Sequence, residues 1–253
     1  MNVRVYTFDE NKRIYRTPEH DSIAYSDGEE VEHRLLAALR QCRDLSSTSD
    51  ELRRHIIDWP SEYHLSAFRH VLLRPFAISS TDRILELGCG CGAISRYLGE
   101  TGATIVGVEG SQLRAQIAAQ RCRDLPNVRI FCDNIVDFVS AEHFDLVTLI
   151  GVLEYAPSFI DHPDPAAECL SRAGSHLGAS GRLILAIENK LGLKYFSGCG
   201  EDHTGDPFLG IEGLYPRRGA ITFGRSELKI LLNRAGFTEL HWFYPFPDYK
   251  LPR

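Results

Sequence analysis

No apolar run in this sequence approaches the roughly 18 residues that a membrane span requires, so no span is expected. The start, Met1 to Arg16, is charged and lacks the apolar core of a leader, so none is expected there either. A basic surplus is also missing. Lys and Arg number 28 against 34 Asp and Glu, a formal net charge of −6, and a dedicated nucleic-acid binder usually shows the opposite balance. No nucleic-acid partner is therefore expected. There is no Cys-x-x-Cys and no His pair at ligand spacing, and Cys89-x-Cys91 alone supports no metal site, so none is expected. The cysteines are odd in number and scattered, several within apolar periodic segments. That pattern excludes a disulfide framework and suits reduced thiols in a cytoplasmic setting. Repeats and low-complexity tracts are absent.

What is present is an ordinary globular composition, 43% apolar over 253 residues, enough for one larger α/β domain. The first 25 or so residues lack periodicity and read as an extended arm. Ser26 or Asp27 caps a helix carrying Val31, Leu35, Leu36 and Leu39 at helical spacing. A second helix starts near Ser46 and stops before Pro60. A third runs from Ser61 with Leu65, Phe68, Val71 and Leu72 on one face, until Pro75. Residues 1–80 thus read as an arm and helical cap, and residues 81–253 as a second unit with a different grammar. There, strands over Arg83–Leu87, Thr104–Val108, Val128–Cys132, Asp145–Ile150 and Arg182–Ile187 alternate with helices over Ala93–Glu100, Ser111–Leu125 and Pro165–Leu177. A short helix is expected before Asp145, and Gly178 and Gly181 are expected to close the helix before them. This alternation predicts an α/β, Rossmann-like, doubly wound and mostly parallel sheet. Residues 190–223 form a long Gly-rich loop, a length that is usually functional and here suits substrate. A helix over Ser226–Ala235 and a sixth strand over Glu239–Tyr244 follow.

The densest signal is Glu86-Leu87-Gly88-Cys89-Gly90-Cys91-Gly92-Ala93, where a buried strand meets glycines and then a helix. Glycines permit a tight turn and close ligand approach, and the carboxyl end of a strand is where open α/β sheets bind ligands. Gly88-x-Gly90-x-x-Ala93 satisfies a dinucleotide fingerprint, with Glu109 about 20 residues on as a ribose acid. To this point NAD and S-adenosylmethionine fit equally. Glu86, two residues before the glycines, suits a cationic amino-acid ligand and opposes a pyrophosphate. Asp133 follows the third strand, where an acid can take an adenine amino group while Asn134 and Ile135 cover the ring. Ile150-Gly151-Val152-Leu153-Glu154-Tyr155 follows the fourth strand, where a methyl-donor pocket is lined.

These motifs, in this order, resemble the class I S-adenosylmethionine-dependent methyltransferases over roughly residues 80–240. The resemblance implies S-adenosylmethionine as cofactor. Gly88, Gly90 and Gly92 would wrap its methionine and ribose moieties, Glu109 with Gly110 would meet the ribose, and Asp133, Asn134 and Ile135 the adenine. Ile150 and Gly151 would offer carbonyls to its amino group, and Tyr63 and His64 begin a helix that in many such enzymes leads over the cofactor. A narrower resemblance lies in Ser26-Asp27-Gly28-Glu29-Glu30-Val31-Glu32, Asp58 to Ser66, Ala186 to Phe196, Glu201-Asp202-His203 and Tyr244 to Pro252. These segments are similar to bacterial methyltransferases linked to surface-glycan glycosyltransferases. They imply a carbohydrate acceptor and a glycosyltransferase module on the same chain. The superfamily sheet ends in a seventh antiparallel strand. Tyr249–Arg253 would only begin one, so the chain is expected to be a fragment of a longer protein or to use another element there.

Methylating a sugar hydroxyl calls for a general base. His203, on the loop after the fifth strand, is the first candidate, with an exposed loop histidine as the alternative. Asp202 would orient it or bind the sugar, and Glu154 would act as base, bind ligand or cap the next segment. Arg69 reads as a solvated helix face, with a ligand carboxylate as the alternative. Pro216-Arg217-Arg218 reads as a solvated turn rather than a phosphate site, and Trp59 and Trp242 as packing anchors.

Overall fold

A computed structural model describes residues 4–216 and 218–253, so Arg217 of the small basic cluster lies outside the described residues. In chain order the elements begin with β1 (Thr7–Asp9), β2 (Ile14–Arg16), α1 (Glu29–Gln41), α2 (Asp50–Arg53) and α3 (Trp59–Leu65). Next come β3 (Arg83–Leu87), α4 (Ala93–Glu100), β4 (Thr104–Glu109), α5 (Gln112–Arg121), β5 (Val128–Cys132) and β6 (Phe144–Ile150). The chain continues with α6 (Ala156–Phe159), α7 (Pro165–Ser175), β7 (Leu177–Ala186), α8 (Leu193–Phe196), α9 (Leu209–Glu212) and α10 (Arg225–Arg234).

The sheet has seven strands in the order β1-β2-β5-β4-β3-β6-β7, and every pairing except β1 with β2 is parallel. The expected Rossmann-like sheet is present. Strand β3 lies inside the sheet, between β4 and β6, and its Ile84, Leu85 and Leu87 are apolar on both faces, as a strand covered twice must be. Leu85, Leu87, Val106, Val108, Val147 and Leu149 face α7 and α10 through Cys169, Leu170, Leu228 and Leu232. On the other face, Ile84, Ile105 and Leu146 meet Ile94 and Leu98 of α4. Helix α1 lies outside α5, joining Leu35, Leu36 and Leu39 to Ile117. Burying each such leucine or isoleucine contributes roughly 1.5–3 kcal/mol.

Several sequence expectations need correction. The N-terminal arm is not merely extended: β1 and β2 form a hairpin whose second strand pairs in parallel with β5, through Tyr15 opposite Phe131. Its alternation is too short to register as strand periodicity, and the pairing is fixed by Tyr15 stacked on Phe131 at 4.7 Å between ring centroids. Glu239–Tyr244 is not a strand; the segment has no ladder, although Leu240 and Trp242 pack on the core. The residues before β6 form turns and not a helix. Gly178 and Gly181 lie within β7, where the pairing with β6 shifts register; a methyl on Gly181 would lie 2.8 Å from the Phe144 carbonyl oxygen. Tyr249–Arg253 begins no strand, and instead Tyr249, Leu251 and Pro252 are buried.

Candidate active site

The carboxyl ends of β3, β4 and β6 open into a cavity of about 340 Å³, within the range of ligand sites. Its floor is the glycine loop. Gly88 and Cys89 both donate their backbone N–H to the Val108 carbonyl, at 2.8 and 3.0 Å, which turns the chain back over β4. Gly88 has φ +75°, and a methyl there would collide with the Val152 side chain. The loop therefore leaves backbone, not side chain, at the cavity wall.

Glu109 ends β4 with both oxygens fixed. Oε2 accepts from the Gly90 N–H at 2.8 Å and Oε1 from the Ser111 N–H at 2.9 Å. Each oxygen keeps a second lone pair for a ligand hydroxyl. Glu86 is 4% exposed and accepts a 2.5 Å hydrogen bond from Ser95 Oγ. Burial pushes its carboxyl up to about 8, with Glu109 adding to the rise and Arg69 opposing it. Gly90, Gly110, Asn134, Ile135, Ile150, Gly151 and Tyr63 also line the cavity.

Two expected cofactor contacts do not line it. Gly92 caps α4 at φ +77°, and a methyl there would lie 2.7 Å from Ala118 Cα. Its smallness lets α4 and α5 approach. Asp133 is fully buried and already satisfied: Arg4 ion-pairs with it and Tyr6 donates to it at 2.6 Å. The N-terminal arm holds this carboxylate, so it is not free for adenine. The arm then crosses the cavity. The Ile23 N–H donates to the Gly110 carbonyl at 3.0 Å, and Ile23, Tyr25 and Asp27 join the lining.

A second set of side chains closes the far end. Glu154 follows β6, is 1% exposed, and has one oxygen, Oε2, with no partner. Burial, then the neighbouring Glu188, push its carboxyl well above the usual carboxylate range. Glu188 follows β7 and is ion-paired with Lys250. His203 comes in from the long loop, its Nδ1 2.9 Å from Glu201 Oε1. Glu201, 4% exposed, orients this histidine; Asp202 does not. Asp202 pairs with Lys194 at 2.8 Å and Lys250 at 3.0 Å. Burial works to raise its carboxyl, but these lysines hold it below its usual value. Tyr249 points its hydroxyl between Glu154 and Glu188, 3.4 Å from each. One donor atom each from Glu154, Glu188 and His203 lie within 4.8 Å of one another, a grouping that the expectation of no metal site does not cover.

Arg69 is neither a solvated face nor free for a carboxylate. It is 5% exposed, donates to the carbonyls of Tyr249 and Lys250 at 3.2 and 3.0 Å, and donates to the Tyr63 hydroxyl at 2.8 Å. It ties the C-terminal segment to α3. Trp59 is no core anchor: it is 53% exposed at the cavity's edge, while Trp242 does pack on the core. His64 is buried against Asp27 at 2.8 Å. Glu188, Glu201, Tyr249 and Lys250 carry the far end without having been singled out. The one sequence signal was a carboxylate, Glu188, directly after the buried run of β7.

The cavity fits a nucleoside joined to a cationic amino acid. It has a glycine cradle, a fixed carboxylate at Glu109 and a buried carboxyl at Glu86. Residues 85–183, fewer than half of the chain, match the family described as "Methyltransferase domain". A ubiquinone biosynthesis O-methyltransferase of Azorhizobium caulinodans is 28% identical over 65% of this chain and 70% of its own length. A 23S rRNA (uracil-C(5))-methyltransferase of Pectobacterium carotovorum is 27% identical over 69% of this chain, which spans only 40% of that enzyme. The structure of the CcbJ methyltransferase from Streptomyces caelestis superposes with a TM-score of 0.55 at 20% identity, covering 83% of this chain and 93% of that one. Such a likeness speaks to fold. The chain has the class I methyltransferase fold, its residues 85–183 match a methyltransferase domain, and its cofactor is S-adenosylmethionine.

Proposed function

We propose that the protein O-methylates a carbohydrate hydroxyl, in a bacterial surface glycan or its nucleotide- or lipid-linked precursor, in the cytoplasm. The observation that carries this reading is the far end of the cavity, where Glu154, Glu188, Asp202 and Lys250 stand close together with Trp59 and Tyr63 at the edge. Carboxylates and an ammonium suit hydroxyl groups, and exposed aromatic faces suit the C–H faces of a sugar ring. The narrower sequence resemblance around Ala186 to Phe196 and Glu201 to His203 supports the same acceptor class, and with it a glycosyltransferase module as partner.

S-Adenosylmethionine supplies, when bound, a methyl group on a positively charged sulfur. Gly88, Gly90 and Glu109 would hold its ribose and methionine parts, Asn134 and Ile135 its adenine, and Glu86 with Gly151 its ammonium end. Tyr63 and Tyr249 close over it from α3 and the C-terminal segment. Placing the acceptor oxygen against the methyl carbon can account for much of the rate. His203, with Nδ1 bonded to Glu201, presents Nε2 as the acceptor of the hydroxyl proton. Glu154 orients the hydroxyl. Asp202 serves as an ion-paired anchor for Lys250, not as a base.

Isothermal titration of the full chain with S-adenosylmethionine and S-adenosylhomocysteine is the first test. Both should bind one site per chain, and Glu109→Ala should weaken binding at least tenfold. Folded protein that binds neither ends the reading. Transfer of a labelled methyl group is then tried on nucleotide sugars, lipid-linked glycans, catechols and peptides. A small-molecule phenol is the second reading, suggested by the similarity to a ubiquinone biosynthesis O-methyltransferase. Labelled catechol with unlabelled sugars would favour it. Cofactor binding with no turnover on any acceptor would favour a non-catalytic docking module.

A further inference from the structure

The far end of the cavity has more carboxyl groups than cations. Glu154, Glu188, Glu201 and Asp202 converge there, and the cations among them are Lys194 and Lys250. Lys194 reaches Asp202, and Lys250 bridges Asp202 and Glu188. Neither lysine is paired with Glu154. Its Oε2 is buried and has no hydrogen-bond partner, a costly state for a polar atom in the interior. Tyr249 only approaches the other oxygen, at 3.4 Å.

The geometry around this atom is that of a ligand set. Glu154 and Glu188 follow the neighbouring parallel strands β6 and β7, Glu154 in a short helical turn and Glu188 two residues past the strand, so the sheet brings the segments that carry them side by side. His203 comes from the opposite side, and its nearest donor atom and one oxygen of each carboxylate fall within 4.8 Å of one another. His203 is also backed by a carboxylate: Glu201 takes Nδ1, which leaves Nε2 with its lone pair turned away from Glu201. Metal-bound histidines are commonly held in this way, the outer carboxylate fixing tautomer and ring orientation.

We infer that Glu154, Glu188 and His203 form a divalent-cation site on the acceptor side of the cofactor cavity. Two carboxylates and one imidazole suit Mn²⁺, Zn²⁺ or a similar first-row ion, with positions left open for acceptor oxygens. The inference rests on the placement of the acceptor proposed above and alters one role in it. With the ion bound, His203 Nε2 would be a ligand and would no longer take the hydroxyl proton, which would pass to water from a hydroxyl made more acidic by coordination; without it, Nε2 remains the proton acceptor. Lys250 competes with the ion for Glu188, and its ammonium must swing toward Asp202 when the ion enters.

The test uses the full chain stripped with a chelator and titrated with Mn²⁺, read by calorimetry and by loss of the free-ion paramagnetic resonance signal. One ion per chain should bind. Glu154→Gln and His203→Gln should each weaken binding at least tenfold, and Lys250→Met should retain or tighten it. Circular dichroism and S-adenosylhomocysteine binding report whether each variant is folded. Binding well below one ion per chain would overturn the site, as would equal affinity in wild type and a folded Glu154→Gln. If S-adenosylmethionine binds and methyl transfer proceeds undiminished in excess chelator, while Mn²⁺ does not bind, the cation site fails and the methyltransferase reading stands. If Mn²⁺ binds as described but neither cofactor form does, that reading fails and the site stands.

Discussion

Tyr6 donates its hydroxyl proton to Asp133 at 2.6 Å, across 127 residues of sequence, and Arg4 closes on the same carboxylate. The acid at the end of β5 is thereby spent on fastening the N-terminal hairpin. Asp133→Asn should lower stability by about 2–4 kcal/mol, because it leaves the partly buried Arg4 guanidinium with only the half-exposed Asp137 as its anion. Tyr6→Phe should cost about 1 kcal/mol. Urea unfolding monitored by circular dichroism measures both. S-Adenosylmethionine affinity of folded Asp133→Asn should change less than threefold. A tenfold loss of affinity with an unchanged unfolding midpoint would return Asp133 to the adenine site.

Asp133 also shows where sequence reading stops. The central strands were legible because Ile84–Leu87, Ile105–Val108 and Leu146–Ile150 are near-continuous apolar runs. The glycine loop was legible because its chemistry is local. Glu109 and Glu86 followed from their spacing to that loop. The partner of Asp133 was not legible, since Arg4 and Tyr6 lie in a segment too short for any periodicity to show. The edge strands failed for a related reason. Glu239–Tyr244 has strand composition, but composition does not reveal that its backbone pairs with nothing, while Ile14–Arg16 pairs with β5. At the far end of the cavity, Asp202 and Glu201 are adjacent acids. Only the loop's path places Glu201 against His203 and Asp202 against the lysines.

Glu86 should make cofactor binding release a proton. In the free protein burial holds its carboxyl near 8, with Glu109 adding to the rise and Arg69 opposing it, so at pH 7 it is mostly protonated. A cationic ligand beside it favours the carboxylate and drives the proton off. Affinity should therefore rise between pH 6 and pH 8. Calorimetry at pH 7 in buffers of different ionisation enthalpy should read release approaching one proton per site. Glu86→Gln should abolish most of it. Equal release in wild type and variant would assign the proton elsewhere.

Gly92 and Gly88 should separate packing from binding. Gly92→Ala combines a left-handed backbone with a methyl 2.7 Å from Ala118 Cα, a main-chain atom that cannot rotate away. The two effects together should cost about 2–4 kcal/mol. Cofactor affinity of the folded fraction should stay within threefold. In Gly88→Ala the clash falls on the Val152 side chain at the cavity wall, so affinity should fall as well as stability. Denaturation midpoints and calorimetric Kd values for the pair would show the split. Loss of affinity in both, with unchanged midpoints, would place Gly92 at the ligand.

His64 should make stability depend on pH in a defined window. Burial, with Arg114 adding to it, pushes its ring down to about 4, against the opposing hydrogen bond that the ring donates to Asp27. The unfolded chain takes up a proton on this ring near 6.5, and the folded chain refuses it until about pH 4. Stability from this group is therefore complete above about pH 6.5 and falls as the pH drops toward 4. Between pH 7.5 and pH 5 the loss comes to about 2 kcal/mol. Glu86 works in the opposite sense over the same range. Its raised carboxyl favours the folded state at low pH, so wild-type stability alone would hide the effect. The readable quantity is the difference between wild type and His64→Gln, which keeps a donor for Asp27 and does not titrate. Asp27 is held below its usual range and stays ionised throughout this window in both proteins. The variant should gain about 2 kcal/mol relative to wild type on going from pH 7.5 to pH 5, measured by urea unfolding at each pH. A difference that stays flat across the window would mean that His64 takes up its proton in the folded state as readily as in the unfolded one.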